Sequence, residues 1–340
     1  MSDAQALKLT VYLNESSRSG SELACDRLMA LFERARVRTS ILLRGIEGFG
    51  GHHRLHADRL ETAALNPPLV AVAVDAPGRI EALVPQVFNL LPSGLVTTER
   101  AWFLGVEDPA RSLPAVAHDA VRLTVYCGRG EQAAGTLVHR AITAHLRSAG
   151  VDGATAFLGV DGTVHGRRAR ARFFSRNADV PVMIVAVGGR AQVRRSLTSV
   201  HRLAGDPIVT MEGIRVCKRD GRLIAPPPTP PDGGGIARKL MVWAAGDTHA
   251  GGEALHYALV DRLRRSGASG ATSLRGVWGY RGNGPAHGDS ARSLRRSSPV
   301  VTVAIDRRGG DGDWRLVDEL TATAGLVTSE LVPAHRGIPV

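Results

Sequence analysis

The sequence predicts an α+β fold of three tandem ferredoxin-like domains, each ordered β-α-β-β-α-β. Three observations lead there. The first is a repeat in constant register. Leu9-Thr10-Val11-Tyr12 returns as Leu123-Thr124-Val125-Tyr126 and again as Leu240-Met241-Val242-Trp243. Leu9 to Leu123 is an offset of 114, as is Gly45 to Gly159, while Thr97 to Thr210 is 113. Between the first and third copies, Leu9 to Leu240, Gly45 to Gly276, Pro68 to Pro299 and Thr97 to Thr328 are all 231. The second is unit length. Each copy spans about 95–100 residues, the size of one compact domain and too long for a solenoid repeat of roughly 20–50 residues. The third is the hydrophobic period, which switches between strand-like and helix-like in the same order in every copy.

In unit one, Leu7 to Leu13 alternates apolar and polar residues, as a half-buried strand does. Ser21 offers an N-cap, and Leu23, Leu28, Leu31 and Phe32 follow at helical spacing. Thr39 to Leu43 predicts a second strand. A glycine-rich stretch from Gly45 to Gly51 comes next, then a short polar helix or loop to Asn66. Leu69 to Val74 predicts a buried strand. Ile80, Leu83, Val84, Val87 and Leu91 mark a second amphipathic helix, and Leu95 to Thr98 a last strand. The other units follow suit. First helices are expected at Leu137 to Ala149 and Leu255 to Ser266, third strands at Val182 to Val187 and Val300 to Ile305, and second helices at Ala191 to Leu203 and Trp314 to Ala324. Two helices on one sheet face leave the opposite face apolar, so each unit is expected to pack against a sister. The domains are set at 6–104, 119–220 and 237–335. A Pro/Gly-rich linker at 221–236 carries Pro226-Pro227-Pro228-Thr229-Pro230-Pro231, read as a stiff spacer.

Composition narrows the function classes. The apolar fraction of 44% is ordinary for a globular protein. No apolar run approaches the ~18 residues of a membrane span, and Met1 to Gln5 has no signal-peptide pattern. Cys25, Cys127 and Cys217 are isolated and odd in number, which suggests a reducing compartment; the expected location is the cytoplasm. Net charge is +11, but the basic residues are scattered and few aromatics accompany them. Only Lys8, Lys218 and Lys239 are lysines, leaving 40 arginines (43 − 3), a pattern read as coding bias rather than a nucleic-acid surface. Arginine richness still favours a phosphate-bearing ligand.

The segment after the second strand is the repeated feature beyond the hydrophobic pattern. Unit one reads Arg44-Gly45-Ile46-Glu47-Gly48-Phe49-Gly50-Gly51, with Arg54 and His56 beyond. Unit three reads Arg275-Gly276-Val277-Trp278-Gly279-Tyr280-Arg281-Gly282, with His287 aligned to His56. Glycines can let backbone N–H groups converge on an anion, and an adjacent arginine adds charge-assisted bonds. The alternative is that the glycines only turn the chain out of the strand. In unit two Leu158 replaces the arginine, and Val164 and His165 stand for Gly50 and Gly51. Its Arg167, Arg168, Arg170 and Arg172 either compensate or serve as plain surface.

Taken together, the Leu-Lys-Leu-Thr-Val-Tyr strand, Leu-Arg-Gly-Ile-x-Gly-Phe-Gly, Arg-x-His, Asn-Pro-Pro-Leu-Val and Gly-Leu-Val-Thr resemble the PII-like bacterial and archaeal family DUF190. The resemblance covers nearly all of unit one. It holds well in unit three, except that Pro285 stands for Arg54, and is weakest in unit two. PII-like proteins are trimers of ferredoxin-like subunits with sheets at the centre and small effectors, typically adenine nucleotides, in the clefts between neighbours. The resemblance therefore implies an intramolecular pseudo-trimer from a single monomeric chain. It implies effector-binding residues Arg44, Gly45, Gly48, Phe49, Gly50, Arg54 and His56, with Arg275, Gly276, Gly279, Tyr280 and His287. Of these, Arg44 and Arg275 are expected on phosphate. It also implies a regulated partner protein, with a membrane transporter as one candidate.

Catalysis, a cofactor and a resident metal are not expected. Paired carboxylates and a Walker lysine are missing from the sequence. His52, His53 and His56 could hold a metal, but the other units do not repeat them. A metal-binding regulator and an enzyme on the same scaffold remain the rival readings. RNA binding is a third rival, disfavoured because Tyr12, Tyr126 and Trp243 are the aromatics that share a strand position, and that position is expected in the core or an inter-unit contact. Glu99, Glu212 and Glu330 recur after the last strand and are read as a surface or inter-unit pair.

Overall fold

The computed structural model describes residues 5–51, 53–57, 66–91, 93–105, 120–171, 178–231, 235–282, 284–288, 298–307 and 310–336. Unit one runs β1 (Gln5–Asn14), α1 (Ala24–Arg34), β2 (Thr39–Arg44), β3 (Glu47–Phe49), β4 (Leu55–Ala57), β5 (Pro68–Asp75), α2 (Pro77–Leu90) and β6 (Leu95–Phe103). Unit two runs β7 (Ala120–Gly128), α3 (Val138–Ser148), β8 (Gly153–Leu158), β9 (Asp161–Val164), β10 (Arg167–Arg170), β11 (Pro181–Gly189), α4 (Arg190–Ala204) and β12 (Ile208–Arg219). Unit three runs β13 (Ile236–Ala245), α5 (Leu255–Arg265), β14 (Gly270–Arg275), β15 (Trp278–Arg281), β16 (His287–Gly288), β17 (Pro299–Asp306), α6 (Gly312–Leu320) and β18 (Leu326–Arg336). None of these helices is long and apolar enough to cross a membrane.

In each unit the four long strands pair antiparallel with the first and third at the centre. The order is β6–β1–β5–β2 in unit one, β12–β7–β11–β8 in unit two and β18–β13–β17–β14 in unit three. Every residue of β5 is buried, which fits a continuous apolar run in a sheet covered on both faces. One face meets the helices. In unit one, Leu28 and Phe32 of α1 and Ile80 and Val87 of α2 close over Leu9 and Val11. Separate clusters do the same in the other two units. The opposite faces meet each other: Val70 and Val72, Met183 and Val185, and Val301 and Val303 share one cluster drawn from all three units.

Some boundaries differ from the sequence reading. Ser21 is not an N-cap. It sits in the turn of a two-stranded ribbon (Arg18–Ser19 with Glu22–Leu23), and α1 starts at Ala24, whose N–H bonds to the Ser17 carbonyl at 2.8 Å. That backbone bond satisfies a helix-end donor that a serine side chain would otherwise meet. Equivalent ribbons precede α3 and α5. The expected helix or loop before Asn66 includes the strand β4, paired with β3; residues 58–65 lie outside the described residues. Arg222–Leu223 folds back on β12 rather than beginning a free linker, and Pro227 and Pro230 of the proline run are buried.

The units are joined by strand pairing in a closed cycle. β9 of unit two pairs with β2 of unit one, β15 of unit three with β8 of unit two, and β3 of unit one with β14 of unit three. The ends of the last strands also pair mutually: β6 with β12, β12 with β18, and β18 with β6. Each contact is heterologous, and the third closes the set.

A buried ring of charge lies among these strands. Lys8, Arg122 and Lys239 occupy one repeat position, and Glu99, Glu212 and Glu330 another. Lys8 holds Glu99 at 2.9 Å and Glu212 at 2.5 Å; Lys239 holds Glu99 at 3.1 Å and Glu330 at 3.2 Å. Arg122 holds Glu330 at 2.7 Å and also pairs with Glu212. Each cation thus grips its own unit's glutamate and that of one neighbour, so six alternating charges close a loop. The recurrent glutamates are therefore an inter-unit device, and a buried one. Burial pushes Glu99 up, but the Lys239, Lys8 and Arg122 cations outweigh it and hold the carboxyl well below its ordinary range. Glu330 is likewise held low, with Arg122 and Lys239 overcoming burial.

Candidate functional site

The paired glycines after each second strand serve the strand cycle. A Cβ on Gly48 would lie 2.7 Å from the Ala271 carbonyl oxygen of unit three, and one on Gly45 would lie 2.7 Å from Pro68. On Gly279 it would lie 2.3 Å from the Ala154 oxygen of unit two, and on Gly276, 2.3 Å from Thr155. Unit two keeps both glycines: a Cβ on Gly162 would lie 2.4 Å from the Ser40 oxygen of unit one. These positions lack side chains because a neighbouring unit's strand passes on one side and the unit's own Pro68, Pro181 or Pro299 packs on the other. Neither the anion cradle nor the simple turn expected from the sequence describes that role.

The same crossing carries residues 49, 163 and 280 into the neighbour. Phe49 is 4% exposed and belongs to the helix–sheet core of unit three. Tyr280 belongs to that of unit two and donates its hydroxyl to the Val151 carbonyl at 3.1 Å. Burial pushes its phenol up.

Beside Phe49, at the seam of units one and three, lies a cleft of about 310 Å³. That is the lower end of the size of small-molecule sites. Its walls are largely apolar: Leu13, Phe49 and Leu95 from unit one and Val303 and Ile305 from unit three. The polar groups are few. Tyr12 and Asn14 come from β1, Gly50 and Gly51 from the turn after β3, Arg54 from just before β4, His56 from within it, and Ser269 and Thr272 from unit three. His56 is half-buried, and its Nε2 accepts from the Asn14 amide at 3.1 Å. Burial holds its pKa below the ordinary value; the Asn66 backbone opposes and Arg54 adds to the effect. Burial and the bond accepted from Asn14 both favour the neutral imidazole. Arg54 is exposed at the cleft, with its guanidinium available to an anion. A Cβ on Gly50 would meet nothing within 4 Å, so open space adjoins that backbone.

Of the residues expected to bind an effector, the structure brings Phe49, Gly50, Arg54 and His56 together. Arg44 is not with them: it is exposed and pairs with Glu15 at 3.3 Å. Arg275 lines neither this cleft nor the next. The cause is the strand pairing: Gly45 and Gly48 face the neighbour's backbone, while the cleft opens further along the chain. Sequence reasoning missed Tyr12 and Asn14, which reach the cleft from the first strand of the same unit, and the whole unit-three wall, which only the cycle of pairings brings to Phe49.

The equivalent seam of units three and two holds Tyr280 and His287 with Trp243 and Arg281, around a space of about 30 Å³. His287 Nδ1–H donates to the Pro285 carbonyl at 2.8 Å. At the seam of units two and one, Thr39 donates to the Thr163 carbonyl at 2.9 Å, and the Ser40 and Thr163 hydroxyls bond at 2.8 Å. Two of the unit-two arginines are engaged by carboxylates, and Arg167 is exposed. Arg168 grips buried Asp161 at 2.6 Å and Glu33 at 3.1 Å, and Arg170 pairs with Asp26 at 2.9 Å. Arg172 lies outside the described residues, as does His52 of the histidine cluster. His53 stacks on Phe49 with ring centroids 5.8 Å apart. Among the described residues, no group of three or more His, Cys, Asp or Glu is placed to hold a metal.

A family profile described as “Uncharacterized ACR”, DUF190, matches the chain three times, over residues 6–102, 120–216 and 237–334. The chain belongs to that family, in three tandem copies.

Proposed function

We propose that this triple DUF190 chain is a non-catalytic, PII-like regulatory protein that takes a small phosphate-bearing effector at the seam of units one and three. On this reading each unit is a ferredoxin-like subunit, and the cycle of strand pairings makes the chain a pseudo-trimer. The observation that carries the reading is the cleft itself. It is an apolar, inter-unit space of ligand size with one exposed guanidinium, a half-buried histidine and open glycine backbone at its mouth. Apolar walls suit a flat heterocycle, and Arg54 beside Gly50 and Gly51 suits a phosphate. An adenine nucleotide meets both demands. Effector binding would order the segment after β3 and change its affinity for a partner protein, of which a membrane transporter is one candidate. Among the described residues the cleft lining holds no carboxylate to pair with His56, and the reading is one of binding rather than catalysis.

Calorimetry with adenosine, AMP, ADP and ATP tests the proposal. At least one nucleotide should bind, and Arg54→Ala should weaken it tenfold or more, in keeping with loss of a charge-assisted bond. Arg44→Ala should leave binding unchanged. No heat and no thermal-shift response with any of the four would refute the nucleotide reading.

A further inference from the structure

We infer that the chain has one working effector cleft, and that particular side chains have closed the other two. The inference rests on the binding reading above and deepens it. Repeat equivalence allows a residue-by-residue comparison of the seams. The open and the narrow cleft use the same positions: Tyr12 corresponds to Trp243, Phe49 to Tyr280, Gly50 to Arg281, His56 to His287, and Gly270 to Gly153. Yet one measures about 310 Å³ and the other about 30 Å³. The smaller has room for a water or two, not a heterocycle.

Two differences account for the loss. Trp243 puts an indole, 6% exposed, where the open cleft has the smaller, half-buried phenol of Tyr12. Arg281 puts a long side chain where Gly50 leaves space, and it is held there by Asp220 of unit two. The cation of the open cleft is lost as well, since Pro285 stands for Arg54. The third seam is closed differently. Gly270 of the open wall becomes Thr39, and Phe49 becomes Thr163. Their mutual bonds, with that of Ser40, fasten the two strands, and Tyr126 at the Tyr12 position is fully buried. A ligand would have to break buried hydrogen bonds to enter.

The test is stoichiometry and position. Calorimetry with AMP and ATP should give one site per chain. The variant Tyr12→Trp with Gly50→Arg, which copies the narrow cleft into the open one, should lose at least tenfold in affinity with the fold intact by circular dichroism. The reverse variant, Trp243→Tyr with Arg281→Gly, should enlarge the narrow cleft in a crystal structure. Soaking crystals of the wild-type chain with indole at high concentration gives a readout independent of any nucleotide. Indole at the seam of units one and three alone supports the inference, even if no nucleotide binds and the nucleotide reading falls. Two or three sites by calorimetry, indole in either other seam, or indole in none would overturn it.

Discussion

Replacing Glu99 by glutamine should cost about 3–5 kcal/mol, the usual penalty for removing one member of a buried ion pair. The carboxylate side chain is 1% exposed and receives Lys8 at 2.9 Å and Lys239 at 3.1 Å, with hydroxyl bonds from Thr97 at 2.7 Å and Thr10 at 3.2 Å. Glutamine keeps the shape and can still accept from the threonines. It leaves three cations facing two carboxylates, so the ring goes from neutral to a net positive charge inside the protein. With an unfolding entropy of about 2.1 cal/mol/K per residue, a 340-residue chain that unfolds as one unit loses roughly 1.4 °C per kcal/mol. A fall of roughly 4–7 °C in Tm is therefore expected by calorimetry. The pH dependence carries a second signature. Glu99 and Glu330 titrate lower in the folded protein than in the unfolded chain, so between the two values the unfolded chain binds more protons. Their contribution is complete above the unfolded value of about 4.3 and is lost as pH falls below it. Glu99→Gln should flatten the loss of stability below that pH. A variant with unchanged Tm and an unchanged acid limb would refute the argument that the ring is a coupled, desolvated unit.

Three further outcomes follow from the geometry. Gly162→Ala should cost about 1–3 kcal/mol, because its Cβ would sit 2.4 Å from the Ser40 oxygen and 2.5 Å from Pro181; Gly50→Ala, which meets nothing within 4 Å, should stay within ~0.5 kcal/mol, and denaturant titration of both tests the contrast. All three thiols should be inert to a thiol-specific disulfide reagent at pH 8 in the native protein and react fully on unfolding. Burial raises Cys25 and Cys127 and pushes Cys217 up to about 12, so a rapidly reacting native thiol would contradict the packing. Asp161→Asn should loosen the seam of units one and two, since buried Asp161 anchors Arg168; faster amide exchange in β9 and β2 than in β14 and β3 is the expected pattern.

Much of the architecture could be read from the chain because period and spacing are local signals. Leu9, Val11 and Leu13 announce a strand, and Ile80, Leu83 and Val87 a helix face, whatever surrounds them. The ribbon around Ser21 was not legible, since two-residue strands carry no period and a serine before a helix reads as a cap. The pairing of β3 with β14 was hidden for a different reason: its partner lies more than two hundred positions away. That pairing decides what Gly45 and Gly48 are for, so their role was misread while their recurrence was not. The charge ring was half visible. Glu99, Glu212 and Glu330 recur openly, but their partners are a lysine, an arginine and a lysine embedded in apolar strands. Only the offsets of 114 and 231 from Lys8 would have exposed Arg122 and Lys239 as a set. The cleft was legible on one wall, where Phe49, Gly50, Arg54 and His56 are near in sequence, and illegible on the wall supplied by Ser269, Thr272, Val303 and Ile305.

Covalent fusion separates two kinds of constraint that a homotrimer would confound. In a ring of identical subunits, any side chain occurs three times, so a substitution acts on every seam together. Here each seam has its own residues, and their agreement or divergence carries information. The glycines at 45 and 48, 159 and 162, and 276 and 279 agree, as do the prolines at 68, 181 and 299 that pack on them. The alternating charge ring agrees in sign at all six positions. These are the positions that the closed cycle of strands uses at every seam, and a Cβ or an unpaired charge at any one would destabilise the ring. Trp243 departs from the tyrosine shared by positions 12 and 126, and Gly50, Val164 and Arg281 all differ. Those positions border the clefts, where the cycle can close around a phenol or an indole, a glycine or an arginine. At those positions a fused chain can vary one seam without the others, as Trp243 and Arg281 do beside the narrow cleft, while the glycines and the alternating charges that close the cycle keep their character at every seam.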